Sequence, residues 1–258
     1  MATWVGYAWL PHLATPLCAW RGARAGRRVA LTFDDGPDSE WTARVLDILA
    51  ERHVRATFFL VGERAACEPA TVHAIASGGH EIGSHGWSHT SLWLCGPRRT
   101  DREIARTKSL LGYLTGTPPA LFRPPWGMVN AAMFSALRRH GQRCVFWSIQ
   151  PEGLRPAAAE AQVAHVLRRA HPGAIVDLHD AEGTPGAPAR LTAALPAMID
   201  GLVAAGYDFA TVGELLAVYL RRRARKRTKS RPSPSRRFIT VRSRSISAPS
   251  ATSLRGRK

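Results

Sequence analysis

Cysteine is scarce. The chain has four in 258 residues (Cys18, Cys67, Cys95 and Cys144), and none forms a C-x-x-C pair. That excludes a disulfide-dense mini-domain, and the isolated thiols read as small hydrophobes rather than metal ligands or a disulfide. Acidic residues are absent from 221–258, which holds 15 Lys/Arg, whereas 1–220 holds 21 basic and 19 acidic residues. The formal charge of +17 therefore belongs to a tail, and the body is nearly neutral. Long apolar runs are lacking after the first twenty residues, so no later stretch is long enough to cross a bilayer. With 45% hydrophobic residues, the chain is also too apolar to be disordered throughout.

Three segments follow from this distribution. Residues 1–27 are an apolar, aromatic arm (Trp4, Val5, Tyr7, Trp9, Leu10, Leu13, Leu17, Trp20) followed by arginines. It lacks a basic start, and Pro11 and Pro16 interrupt a helix, which argues against a cleaved signal peptide. Two readings stay open for it: an arm packed on the domain, or a short membrane-associating segment. Residues 28–220 alternate strand-like runs (Val29–Phe33, Ala56–Val61, Glu81–Ser84, Cys144–Ile149, Ala174–Leu178) with helical patterns (Trp41–Arg52, Ala70–Ser77, Asp101–Leu114, Ala131–His140, Ala157–Ala170, Arg190–Ala205). Such alternation predicts an α/β fold with a mainly parallel sheet. The number of units suits a small, irregular (β/α) barrel, with chemistry gathered at the C-terminal strand ends. Residues 221–258, rich in Arg, Ser and Pro, read as a disordered basic tail. Such a tail suits an anionic polymer, a lipid surface or nucleic acid, or has no specific partner. No specific protein partner is indicated.

Four short motifs carry the chemistry. Thr32-Phe33-Asp34-Asp35-Gly36-Pro37 ends the first strand with adjacent carboxylates that point apart, so one can ligate a metal while the other stays free as a base. His85 and His89 lie four apart on a helical turn or tight loop, a spacing at which both imidazoles face one cation. With Asp35 they make a His2Asp set with open positions, the pattern of a catalytic site. His80 and Glu81 are expected to support that turn. Arg123, before Pro124-Pro125-Trp126-Gly127, suits a guanidinium that grips a carboxylate bidentately. Asp177-Leu178-His179-Asp180 ends a buried strand in a histidine.

In order and approximate spacing, these motifs resemble the polysaccharide deacetylase family (NodB homology domain, carbohydrate esterase family 4) over about residues 28–218. Ala56–Gly62 and Gly79–Ser84 are similar to it as well. The resemblance implies a NodB-like distorted (β/α) barrel with fewer than eight units. It implies a hydrolase that removes N- or O-linked acetyl groups from a glycan. Asp35, His85 and His89 would hold a divalent metal, usually zinc, with cobalt, manganese or nickel as alternatives. Asp34 would be the base, His179 the acid, and Arg123 the group that orients Asp34. The backbone N–H of Trp126 would face the oxyanion.

One motif departs from the family. The usual Asp-x-x-Asp-Trp stretch, whose carboxylate tunes the acid histidine, is here Gln150-Pro151-Glu152-Gly153-Leu154, and Asp177 replaces a usual leucine. Either Asp177 or Glu152 is expected to supply the missing charge. Trp87 and Trp126 flank the proposed ligands and are candidates to line the groove, whereas Trp147 is assigned to core packing. The remaining histidines, including His140, read as solvated bystanders. Three other readings stay open: a hydrolase of a small amide or imide on the same scaffold, a glycan-binding protein with impaired catalysis, and a nucleic-acid binder acting through the tail. A glycan substrate favours the cell envelope or a membrane-associated location over the cytoplasm.

Overall fold

The computed structural model describes residues 6–7, 10–24, 26–153 and 155–217. The basic tail, Trp4, Val5, Trp9 and Leu154 lie outside the described residues. Seven parallel strands form the sheet: β1 (Arg28–Asp34), β2 (Thr57–Leu60), β3 (Glu81–Ser84), β4 (Leu121–Phe122), β5 (Arg143–Cys144), β6 (Ile175–His179) and β7 (Asp208–Phe209). Their order is β5-β4-β3-β2-β1-β6, with β7 paired to the start of β1. The outer edges approach each other without a full ladder. Beyond β5 the chain bridges Ile149 to Val176, and Asp177 N–H donates to the Ile149 carbonyl at 2.9 Å. The sheet thus curls into an irregular barrel closed by one bridge.

Helices α1 (Trp41–Glu51), α2 (Gly62–Cys67), α3 (Pro69–Ser77), α4 (Pro97–Thr115), α5 (Ala131–Arg139), α6 (Ala159–Arg169) and α7 (Ala187–Ala204) complete the units. Their ends follow local chemistry. Asn130 caps α5 by accepting from Met133 N–H at 3.0 Å, and α4 starts at Pro97 and stops at left-handed Gly116.

Period-2 alternation on the central strand sorts the interior. Val29, Leu31 and Phe33 join the helix-facing core, where Phe33 stacks on Phe58 at 4.9 Å. Ala30 joins a second cluster with Phe59, Val145 and Ile175, which puts Thr32 and Asp34 on that same inner face. The β1–β6 register then pairs Thr32 with Asp177 and Asp34 with His179, so polar groups occupy the C-terminal end of the barrel.

Residues 10–24 pack on this body. Leu10–Leu17 is a 3-10 helix despite its prolines, Ala19 bridges Val145, and Trp20 stacks on Phe146 at 4.4 Å. Among the described residues, no helix is long and apolar enough to cross a membrane.

Candidate active site

Three donors converge at the mouth of the barrel. Asp35, His85 and His89 each offer one ligand atom, all within 4.8 Å of one another. Asp35 Oδ1 lies 3.5 Å from His85 Nε2 and 2.8 Å from His89 Nε2. The His85 ring is oriented from behind: its Nδ1 lies 2.8 Å from the Arg123 carbonyl, an acceptor, so the proton belongs on Nδ1 and the Nε2 lone pair faces Asp35. One carboxylate oxygen and two imidazole nitrogens in a buried cluster fit a divalent cation. Burial opposes it, but hydrogen bonds to His85 and His89 hold the Asp35 carboxyl below the usual range.

The backbone is bent to make this site. Asp35 (φ 76°), His89 (φ 53°) and Trp126 (φ 61°) are left-handed, and only His53 shares that conformation among the described non-glycine residues. Such conformations cost roughly 1–3 kcal/mol each and cluster at functional sites. Underneath, Glu103 of α4 braces the histidine loop. Its Oε2 accepts from the N–H groups of Trp87 (2.8 Å) and Ser88 (2.9 Å), and its Oε1 accepts from Ser88 Oγ (2.9 Å). The sequence carried a sign of this, because Glu103 lies in the buried Thr100, Glu103, Ile104, Thr107, Leu111 stripe of its helix.

Arg123 is fully buried between Phe59 and Trp147, its guanidinium carbon 4.2 and 5.4 Å from the two rings. It does not grip a carboxylate bidentately. A single nitrogen, Nη1, shares its two hydrogens among Asp34 (2.7 Å), Asp177 (2.9 Å) and Thr32 (2.8 Å), while Nη2 donates to the Phe146 carbonyl (3.1 Å). The cause is the register: Thr32, Asp34 and Asp177 project from two neighbouring strands towards one point. Burial, then the Asp34 charge, pushes Asp177 up to about 7. Burial lowers the His179 pKa, but the charges of Asp177, Asp35 and Asp34 outweigh it and raise it.

A cleft of about 210 Å3 lies over these groups; Asp34, Asp35, His85, His89 and His179 line it. Trp126, half exposed, forms one wall, its ring 5.1 Å from His89. Trp147 packs against two of the core clusters, as expected, and its ring also lines the cleft. Its Nε1 donates to Gln150 Oε1 at 3.2 Å. Trp87 does not line the cleft. Its ring packs under the guanidinium of Arg106 at 3.5 Å and against Gly62. Glu152 is buried, with its oxygens bonded to Arg190 and Gln162. It ties down the altered loop, and Asp177 is the nearer source of charge for His179.

His80 and Glu81 do not support the His85–His89 turn, because they stand at the opposite, N-terminal end of β3 and brace its start instead. His80 Nδ1 accepts from Ala56 N–H at 3.2 Å, and Glu81 bonds Thr57 and Gly213. Asp180 is buried beneath Gly36, where a Cβ would come within 2.7 Å of its carboxylate, and it accepts from Thr42 Oγ1 at 2.6 Å. His140 is no bystander: its Nε2 lies 2.9 Å from Asp101.

A buried Asp–His–His cluster beside a second aspartate, on a curled parallel sheet, defines a metal-dependent hydrolase of the carbohydrate-deacetylating class. The chain belongs to the polysaccharide deacetylase family, whose model matches residues 21–145. It is 34% identical over 204 residues to a peptidoglycan-N-acetylglucosamine deacetylase of Bacillus cereus, covering 78% of this chain and 94% of that one. It is 39% identical over 170 residues to a chitooligosaccharide deacetylase of Rhizobium leguminosarum, covering 64% of this chain and 74% of the relative. The crystal structure of the peptidoglycan N-acetylglucosamine deacetylase Bc1960 superposes with a TM-score of 0.74 at 32% identity, over 81% of this chain and 96% of that one.

Proposed function

We propose that the protein removes the N-acetyl group from N-acetylglucosamine units of a cell-envelope glycan, and that its metal is zinc. The observation that carries this reading is the register of Asp34 with His179, which sets a carboxylate and an imidazole side by side next to the three-donor cluster. Asp35, His85 and His89 would hold the cation, which supplies Lewis acidity to the acetamide carbonyl and makes water nucleophilic near neutral pH. Asp34, oriented by Arg123, takes the proton of the attacking water. Ionised Asp177 raises the pKa of His179, which favours the protonated form that donates to the departing amine. The Trp126 backbone N–H is assigned to the developing oxyanion. Trp126 and Trp147 offer flat faces to sugar rings.

The relatives' names support N-acetylglucosamine-containing substrates. Acetate release from chitooligosaccharide, peptidoglycan and acetylated xylan, measured beside metal content, tests the reading. Release from the first two with one zinc per chain is expected. A zinc-loaded protein inert on all three would overturn it.

A further inference from the structure

Two of the four cysteines are neighbours. Ala19 and Val145 form a parallel bridge, with Ala19 N–H donating to the Cys144 carbonyl (3.0 Å) and Phe146 N–H donating to the Ala19 carbonyl (2.8 Å). One step back along both chains, the same register brings Cys18 alongside Cys144. Neighbouring strands run about 4.8 Å apart, within the roughly 4.4–6.8 Å Cα separation that a disulfide spans. Both residues belong to one apolar cluster, and both thiols are free. Both also line a surface depression of about 270 Å3, with Phe134 and Leu137 as its apolar walls and Arg138 and Arg143 as its cations. The thiols interact: contact with Cys144 lowers the Cys18 pKa against the effect of burial, while burial and then Cys18 push Cys144 up.

We propose that Cys18 and Cys144 are a redox pair that an anionic low-molecular-weight disulfide converts into an intramolecular disulfide, stapling the N-terminal arm to the edge of the sheet. Cys18 acts first, as a thiolate. It attacks one sulfur of the incoming disulfide, whose S–S bond breaks and expels one thiolate, leaving a mixed disulfide on Cys18. Cys144 then loses its proton and attacks the Cys18 sulfur, expelling the second thiolate. The protein gives up two electrons and two protons, and the small disulfide becomes two thiols. Arg138 and Arg143 match the carboxylates of a reagent such as oxidised glutathione. The new bond lies two residues from Phe146, whose ring stacks on Trp20 and whose carbonyl holds Arg123. The staple therefore braces the strip of chain behind the active site.

The test uses the full chain carrying Cys67→Ser, because Cys67 is exposed and would react by itself. Native protein is incubated with oxidised glutathione, its thiols are counted, and it is mapped by non-reducing peptide mass spectrometry. The three remaining thiols should fall to one, with the Cys18 and Cys144 peptides joined and the intact mass lower by two hydrogens. The oxidised form should melt several degrees higher than the reduced form, and Cys144→Ser should abolish that difference. Three unreacted thiols, a persistent glutathionyl adduct on Cys18, or a link to Cys95 would each refute the pairing. None of these readouts depends on deacetylase activity.

Discussion

Asp34 and Asp177 share one nitrogen of Arg123, at 2.7 and 2.9 Å. One guanidinium thus serves the proposed base and a second carboxylate that raises the pKa of His179. Asp177→Asn should leave metal content unchanged and lower activity several-fold at neutral pH. Without the Asp177 charge His179 loses its proton at lower pH, so the alkaline limb of the kcat/KM profile should move towards acid. An unmoved limb would take Asp177 out of this role.

Asp34→Asn removes the base while keeping the shape of the side chain. Turnover should drop roughly 10²–10⁴-fold, as expected for loss of a general base. Metal content by elemental analysis should match the parent.

Glu103→Ala strips three hydrogen bonds from the loop that carries His85 and His89. Metal affinity should fall about 10–100-fold, the usual penalty for losing a group that orients the ligands. Zinc titration against a chelating dye reads this out, and the metal-saturated variant should recover most of its turnover.

Below pH 6.5, His80 should make the fold acid-sensitive. Burial first, then the Arg55 charge, lowers its pKa to about 4. Its Nδ1 also accepts a hydrogen bond from Ala56, which protonation would break. An unfolded histidine takes up a proton near pH 6.5, and the folded one does so only near 4. Stability attributable to His80 is therefore complete above pH 6.5 and declines as pH falls through that window. Thermal melts from pH 7 to 4 should show a shallower loss for His80→Asn than for the parent.

The Asp34-Asp35 and His179 motifs were legible because each ends an apolar strand, where polar residues break the pattern, whereas the Arg123 motif was marked by its Pro-Pro-Trp-Gly run. The long helices were legible from their stripes: α4, foreseen as Asp101–Leu114, extends to Pro97–Thr115. Strands β4 and β7 escaped notice because two residues cannot display a period, and six-residue α2 is too short for a stripe. The reading of Trp87 went wrong for a different reason. Trp87 lies midway between the two proposed metal-binding histidines in sequence, yet Gly86, at φ 78°, turns the chain so that the ring falls under Arg106. Trp147 packs on the core as its sequence context suggested, and only the fold shows that the same ring also reaches the cleft. How many bonds Arg123 makes, and with which atoms, depends on strand register, which no local pattern encodes.

The single Ile149–Val176 bridge is the seam of the barrel. Directly after it comes the stretch Gln150–Gly153, anchored by Glu152 to Arg190. Ser148 N–H and Ile149 N–H both donate to the Ile175 carbonyl beside it, so the joint is short but bonded right up to the mouth of the cleft. The loop beyond the seam is thus separate from the β1–β6 ladder that aligns Asp34 with His179.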